Sequence, residues 1–224
     1  MNKFFAVVAL AGLAAAANAQ APTATYTWQV SDGGAFTNDL TVAVGATVNV
    51  RVLASWTGIA DALGVGYAGG QFDARLLSGA AVGAISAIDR PVPFQFAPQT
   101  LVASAIAGGM KIDTSADVAG IGLGTGWVNP GQAAHFANPA AFNGTNGAVV
   151  FTFTMIAGSA DTTIDCVLNG TAGRAMAVYS NSTGTQVRID DSVTTVSGAI
   201  VRVPTPGSLA LLGLGGLAVA RRRR

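Results

Sequence analysis

Charged residues are scarce in this sequence, and glutamate is absent. Only 10% of the 224 residues are charged, and all 11 acidic residues are aspartates, whereas soluble domains contain about 25% charged residues. Five of the 12 basic residues lie at the ends, at Lys3 and at residues 221–224. Residues 20–206 therefore hold seven basic residues and 11 aspartates, a net charge of −4. This balance excludes nucleic acid as a partner, because nucleic-acid-binding surfaces need clustered positive charge.

Histidine and cysteine each occur once, which excludes most catalytic and metal sites. A Ser-His-Asp or Cys-His device needs an imidazole beside its nucleophile, and a zinc site needs three or four His, Cys or acidic ligands. His135 is expected in a loop or half-buried, and Cys166, which lies among apolar residues, is expected in the core or on a sheet face. We therefore predict a non-catalytic protein without a disulfide, metal or cofactor.

Aspartate spacing leaves a calcium site open as an alternative. Asp113 and Asp117 are spaced like the start of a calcium loop, and Asp190 and Asp191 form a second acidic point. The glycine and glutamate that an EF-hand loop requires at its sixth and twelfth positions are missing. Solvated turns are therefore the preferred interpretation of both groups.

Aromatic side chains leave carbohydrate binding open, because aromatic faces stack on sugar rings. Trp127, in a segment with glycine and proline neighbours, is the best candidate for an exposed glycan contact. Tyr26 and Tyr67 are further candidates. Trp28 and Trp56 lie in strand patterns, where tryptophan is more often part of the core.

The first 19 residues have the pattern of a secretory signal peptide. Lys3 is the positive start, an apolar run extends from Phe4 to Ala16, and Ala17 and Ala19 form a small-x-small cleavage site. The apolar run is shorter than the roughly 20 residues that span a membrane. We expect cleavage after Ala19, which leaves Gln20 first.

The last 22 residues form a second targeting pattern. Pro204-Thr205-Pro206 precedes an apolar run from Leu209 to Ala220, and the chain ends in a basic stop of four residues, Arg221, Arg222, Arg223 and Arg224. The run gives about 18 Å of helix, well short of a hydrocarbon core of about 30 Å. We expect transient membrane insertion with the arginines held on the cytoplasmic side. A simple tail anchor and a hairpin packed on the domain are the alternatives.

The two prolines of this tail predict an exposed segment. Proline donates no backbone hydrogen bond and favours extended geometry in the residue before it. We therefore expect Val203 to Pro206 to be exposed and strand-like, as a protease substrate needs to be.

This tail resembles the PEP-CTERM sorting signal of bacterial exported proteins. In that family a Pro-x-Pro motif precedes an apolar helix and a terminal arginine cluster, here Pro204, Pro206 and the arginines at 221–224, and Thr205 stands where the motif usually has glutamate. The resemblance implies that a membrane protease, an exosortase, cuts near the motif and passes the body to the cell envelope or extracellular matrix.

Alternating apolar and polar residues predict a β protein between these ends. Val48 to Val52 and Phe151 to Met155 each place apolar residues on one face of a strand and polar residues on the other. We expect about nine to eleven strands, and the candidates are Thr23–Val30, Leu40–Val44, Thr47–Trp56, Gly66–Leu77, Ala148–Ile156, Thr162–Leu168, Ala175–Tyr179, Thr185–Ile189 and Ser192–Val203.

Half-buried strands of this kind favour an antiparallel β-sandwich. The stretch Val42–Val50, with Gly45 as a turn, resembles the opening of cohesin-like and other immunoglobulin-like bacterial surface domains, and Gly69–Asp73 resembles the aromatic strand that follows it. The fold class is therefore all-β, with a jelly roll or a fibronectin-like sandwich as alternatives. One domain is expected over residues 20–202, with the sorting signal at 203–224.

The middle of the chain, from Ser78 to Asn146, is the least regular part. It holds five of the eight prolines together with many glycines and alanines, which predicts long loops or an inserted subdomain. Val102–Met110 is predicted as a short helix that Gly108 and Gly109 would end.

Two functions remain open. The first is a non-catalytic exported protein with a structural or adhesive role in the envelope or matrix. The second is a carbohydrate-binding module or weak glycan-active enzyme that uses the same sorting route, with envelope polysaccharide as its partner. Both require export machinery and an exosortase-like protease as partners.

Overall fold

The computed structural model describes residues 21–59, 66–70, 72–78, 80, 82–89, 103–113, 147–168, 175–179 and 186–204. Within these ranges the chain forms strands and one short 3-10 turn at Asp191–Val193. The strands in chain order are β1 (Thr23–Ser31), β2 (Asp39–Thr41), β3 (Thr47–Thr57), β4 (Gly66–Gly70), β5 (Phe72–Ser78), β6 (Ile85–Asp89), β7 (Ala103–Ile106), β8 (Gly109–Asp113), β9 (Ala148–Ile156), β10 (Thr162–Leu168), β11 (Met176–Tyr179), β12 (Gln186–Ile189), β13 (Thr194–Ser197) and β14 (Ala199–Arg202).

These strands form three sheets. Sheet A has the order β13-β1-β3-β9-β6, sheet B has the order β2-β14-β10-β5-β8-β7, and sheet C has the order β12-β11-β4. Most neighbouring strands are antiparallel, and two pairs, β1 with β13 and β14 with β2, are parallel. The predicted all-β sandwich is confirmed.

Alternation along the strands decides which side chains are buried. In β3, Val48, Val50 and Val52 are buried, whereas Asn49 is exposed and Arg51 is half-buried. In β9 the aromatic and methionine side chains are buried and the threonines between them are not. Because successive side chains point to opposite faces of a strand, each strand gives one apolar face to the core.

Phe72 of sheet B sits among the aromatic rings of sheet A. Its ring centroid lies 4.8 Å from that of Tyr26, 6.1 Å from that of Trp28 and 6.1 Å from that of Phe151. The last two pairs are nearly perpendicular, at 89° and 85°, an edge-to-face geometry that aromatic rings favour. The two sheets therefore pack face to face through this aromatic cluster.

Two predicted strands are each divided between sheets. The strand expected at Gly66–Leu77 is β4 of sheet C followed by β5 of sheet B, and the strand expected at Ser192–Val203 is β13 of sheet A followed by β14 of sheet B. Gly198 lies at the second break. Long apolar stretches conceal such changes of sheet, because both halves contribute to the same core.

The helix predicted at Val102–Met110 is wrong. This stretch lies in a hairpin of β7 and β8, paired from Ala103 opposite Ile112 to Ile106 opposite Gly109. Gly108 has φ +77, a conformation that glycine adopts without strain. Gly108 lies in the turn of this hairpin and Gly109 begins β8, which also pairs with β5.

The turn at Gly45 connects the two sheets of the sandwich. Gly45 has φ +81, and its N–H donates to the carbonyl oxygen of Ala157 at 2.9 Å. The strand before the turn is β2 of sheet B, shorter than the predicted Leu40–Val44, and the strand after it is β3 of sheet A. The predicted turn is confirmed, and it carries the chain from one sheet to the other.

A tight backbone approach at Gly70 joins sheets A and C. The Tyr26 hydroxyl donates to the carbonyl oxygen of Ala175 at 2.7 Å and lies 3.4 Å from the Tyr67 hydroxyl. A Cβ at Gly70 would clash with the Tyr26 hydroxyl and lie 2.6 Å from that of Tyr67. Glycine at this position therefore allows the buried tyrosine pair to form.

We expect Gly70→Ala to lower the free energy of unfolding by about 1–3 kcal/mol, the usual cost of overpacking a buried site. Gly34→Ala is the matched control, because the nearest atom to a Cβ there is 3.6 Å away. Urea unfolding followed by tryptophan fluorescence measures both variants. Equal midpoints for the two variants would show that the Tyr26 and Tyr67 network is not tightly packed.

Candidate functional site

The final strand of the described chain ends at a polar cluster that we call the tail junction. It consists of Asp39, Asp161, Arg202, Val203 and Pro204. Strand β14 lies between β2, which begins at Asp39, and β10, which begins one residue after Asp161. This order brings one carboxylate from each neighbouring strand to the end of β14.

Arg202 binds the two carboxylates unequally. Its Nε donates to Asp39 Oδ1 at 2.8 Å, and its Nη2 donates to Asp39 Oδ2 at 2.9 Å. This two-pronged geometry suits the planar guanidinium. Its Nη1 lies 3.9 Å from Asp161 Oδ2. Arg202 thus ties β14 to β2 and, more weakly, to the start of β10.

Asp161 also binds the backbone of Val203, the residue that follows β14. Its Oδ1 accepts a hydrogen bond of 2.8 Å from the Val203 N–H. On the other side of β14, the Arg202 carbonyl oxygen accepts from the Val42 N–H at 3.0 Å. Ser78 Oγ donates to the Asp161 carbonyl oxygen at 2.9 Å, which fixes Asp161 to the end of β5.

Burial changes sharply between Val203 and Pro204. Val203 is 5% exposed and belongs to the hydrophobic core, whereas Pro204 is exposed. The sequence predicts an exposed segment from Val203 to Pro206, and for Val203 this prediction is wrong. Its side chain continues the inward positions of Ala199 and Val201, so the core retains it.

The pairing with Arg202 changes the titration of Asp39. Hydrogen bonds from Arg202 hold the pKa of Asp39 below its ordinary value, and they raise the pKa of Arg202. A lowered carboxylate pKa stabilises the fold above its unfolded pKa, and this contribution is lost as the pH falls through the folded value. Because both side chains are about half exposed, solvent weakens the pair, and the effect is confined to acid pH.

The remaining targeting residues lie outside the described residues and stay predictions from the sequence. They are the signal cleavage residues Ala17 and Ala19, the motif residues Thr205 and Pro206, and the basic stop Arg221, Arg222, Arg223 and Arg224. Within the described ranges, no helix is long and apolar enough to cross a membrane.

Asp113 and the pair of Asp190 and Asp191 belong to two alternative candidates for a calcium site. Asp113 ends β8 of sheet B, while Asp190 and Asp191 precede β13 of sheet A. Asp190 is exposed, Asp191 is half-buried, and Asp117 lies outside the described residues. In the part of the chain that the structure describes, no group of three or more His, Cys, Asp or Glu could hold a metal ion.

Most of the aromatic candidates for glycan contact are buried. Tyr26, Trp28 and Tyr67 are fully buried, and Trp56 is partly buried against the core. Trp127 lies outside the described residues, as does His135. The core position predicted for Trp28 is confirmed, Trp56 packs against the core without being buried in it, and the proposal of sugar stacking for Tyr26 and Tyr67 is wrong.

An aromatic contact that the sequence did not indicate lies on the outer face of sheet A. The Arg51 guanidinium carbon sits 3.9 Å from the centroid of the half-buried Phe36 ring, a cation–π arrangement. Arg51 Nε also donates to Gln29 Oε1 at 2.9 Å. Arg51 is therefore held in place and covers the aromatic ring.

Cys166 has the environment of a core residue. It is 8% exposed, and burial raises the pKa of its thiol to about 12. Because the thiolate is the nucleophile, a raised pKa makes catalysis by Cys166 unfavourable at neutral pH. The predicted core position is confirmed.

Sequence reasoning missed Asp39, Asp161 and Arg202. The Arg202 hydrogen bonds to Asp39 span 163 positions, and the Asp161 bond to Val203 spans 42. No local sequence pattern indicates a contact between residues so far apart in the chain. The one available hint was the position of Arg202 directly before the Val-Pro sequence of the tail.

Comparison with known proteins gives similarities only among solved structures. No family model and no curated protein matches the chain. A cohesin of Clostridium acetobutylicum is 11% identical, covers 81% of this chain and 92% of its own, and has a TM-score of 0.37. A type II cohesin domain from the cellulosome of Acetivibrio cellulolyticus is 10% identical, covers 80% of this chain and 95% of its own, and has a TM-score of 0.38.

A third similar structure is the type I cohesin–dockerin complex of Clostridium thermocellum. It is 6% identical, covers 82% of this chain and 94% of its own, and has a TM-score of 0.36. These are similarities to other proteins at very low identity. The function of this chain therefore rests on its own residues.

Proposed function

We propose that this chain is a non-catalytic exported protein whose β-sandwich is delivered to the bacterial cell envelope or extracellular matrix, where it has a structural or adhesive role. Export machinery recognises residues 1–19. The C-terminal tail inserts transiently in the membrane and is cut by an exosortase-like protease near Pro204-Thr205-Pro206.

The observation that carries this proposal is the change from a buried residue to an exposed one at the tail junction, directly at the start of the predicted motif. Val203 is buried and hydrogen-bonded, and the next residue is the exposed Pro204 of the predicted motif. Proline lacks a backbone donor and favours extended geometry in the residue before it. A cut after Pro204 would leave β14 and the buried Val203 in the body.

The outer face of sheet A supports a structural or adhesive role. Its side chains are mostly uncharged and polar, and some are hydrogen-bonded across strands, as in the 3.4 Å bond from Thr154 to Asn49. A face of this kind remains hydrated and soluble while offering many donors and acceptors to a matrix partner. The residues of this face are Thr25, Thr27, Gln29, Thr47, Asn49, Arg51, Ser55, Thr152 and Thr154.

The carbohydrate-binding alternative has less support. With Tyr26, Trp28 and Tyr67 buried, it depends mainly on Trp127. A glycan array on the wild type and on Trp127→Ala separates the two functions. Reproducible binding that the substitution abolishes would favour the alternative.

Sorting is tested by the Pro204→Ala/Pro206→Ala double variant, expressed in the native host. We expect uncut precursor to accumulate in the membrane fraction, because the extended substrate segment is lost. Thr205→Glu is the matched control, since it keeps both prolines and introduces the residue usual in the motif, and it should be processed like the wild type. Normal processing of the double variant would contradict recognition of the Pro-x-Pro motif.

A further inference from the structure

We infer that the tail junction sets the C-terminus of the mature protein, because it prevents a protease from using any peptide bond before Pro204. The biological meaning of this inference rests on the proposed sorting, whereas the protection itself does not.

Strand β14 is held from both sides up to its last residue. The Arg202 side chain is bound to Asp39 by two short hydrogen bonds, and the Arg202 carbonyl is bound to the Val42 N–H. On the other edge, β14 pairs with β10 from Ile164 opposite Ala199 to Thr162 opposite Val201. The backbone of this strand is therefore engaged on both edges and cannot enter an active site as an extended substrate.

The protection from proteolysis extends one residue beyond the strand. Val203 follows β14, yet Asp161 accepts its N–H and its side chain is 5% exposed. A protease that cut the Val203–Pro204 bond would have to pull Val203 out of the core and break the bond to Asp161. Because most of the Val203 side chain would then lose its apolar contacts, this bond is a poor substrate.

Side-chain burial and backbone hydrogen bonding both change at Pro204. Its side chain is exposed, and its nitrogen carries no proton to donate to the sheet. The burial and hydrogen bonding that protect Val203 therefore do not extend to Pro204. The tail junction thus restricts where a protease can cut, and β14 remains intact in the mature protein.

Limited proteolysis tests this protection without the sorting enzyme. The purified full chain in mild detergent is treated with a nonspecific protease, and intact mass gives the C-terminus of the resistant body. We expect the wild type to end sharply at Pro204 or beyond. For Arg202→Gln and Asp39→Asn we expect the end to move into β14 or earlier, with several products in place of one.

Arg188→Gln is the matched control, because Arg188 is an exposed arginine of β12, outside the tail junction. It should give the wild-type end. Thermal melts of all variants show whether the body remains folded, and Asp39→Asn, which changes a half-exposed side chain, provides a second test if Arg202→Gln unfolds. A wild-type product that ends at or before Val203, or variant products identical to the wild type, would overturn the inference.

The experiments distinguish a failure of the proposed sorting from a failure of the proposed protection. If the protein isolated from native cells keeps its tail, the proposed function is wrong, while the protease-resistant end at Pro204 is unaffected. If native protein loses its tail but Arg202→Gln shows the same single C-terminus as the wild type, sorting stands and the positioning role is wrong.

Discussion

Phe153→Asp is expected to abolish folding, whereas Thr152→Asp one position earlier is expected to leave it nearly intact. Phe153 is 2% exposed and packs near Trp28 and Phe151, with centroid distances of 6.4 and 6.0 Å. Loss of a buried phenylalanine costs roughly 3–5 kcal/mol, and an unpaired buried carboxylate adds to that cost. The sum approaches the whole stability of a typical domain, about 5–15 kcal/mol.

Thr152 is the matched control because it occupies the other face of the same strand. It is half-buried and lies opposite Arg51 of β3 on one side and Asp89 of β6 on the other, so a carboxylate there keeps contact with water and has charges of both signs beside it. We expect a change below about 1 kcal/mol, as for most surface substitutions. Far-ultraviolet circular dichroism with urea measures both variants. Similar losses would show that β9 is buried on both faces.

Replacing the four terminal arginines, Arg221, Arg222, Arg223 and Arg224, by serine is expected to have the largest effect on location. Arginine resists transfer across a membrane, and clustered positive charge holds a segment on the cytoplasmic side. The apolar run before the cluster is too short to anchor the protein by itself. Without the arginines, we expect most of the protein to be released uncut into the medium.

The matched control replaces the same four residues by lysine, which keeps the charge. The lysine variant should be retained and processed nearly as the wild type is. Cell fractionation with detection of the body measures both. Unchanged retention and processing of the serine variant would contradict a sorting role for the arginine cluster.

The sequence predicts best the strands in which large side chains alternate. Ala148–Ile156 and Thr162–Leu168 have the predicted bounds, and Thr23–Ser31 and Thr47–Thr57 each extend one residue further than predicted. In these strands the core face is encoded locally, because buried side chains, mostly apolar, recur at every second position over most of the strand. This alternation can be recognised in the sequence whichever strands become neighbours in the sheets.

Strands that depend on distant partners are not predicted. Ile85–Asp89 pairs with β9 through an irregular register, and Ala87 within it has φ 48. Ala103–Ile106 consists largely of small residues, and Gly109–Asp113 buries Lys111 directly before Ile112, so neither strand has a clear alternation of apolar and polar residues. Cross-strand hydrogen bonds with β9 and β5 make these segments extended, and one stretch of sequence does not encode them.

The residues of the tail junction also differ in whether the sequence predicts them. Pro204 is recognisable from the sequence because it belongs to a local motif. Asp39 and Asp161 are not recognisable, because only the order β2-β14-β10 brings them to Arg202. The folded body thus supplies a part of the tail junction that the tail sequence alone does not contain.

The mass of the intact protein isolated from the native cell envelope or matrix tests the central claim most directly. We predict a chain that begins at Gln20, contains every residue through Pro204 and lacks the arginine cluster at 221–224. A mass corresponding to a C-terminus at Arg224 would contradict it.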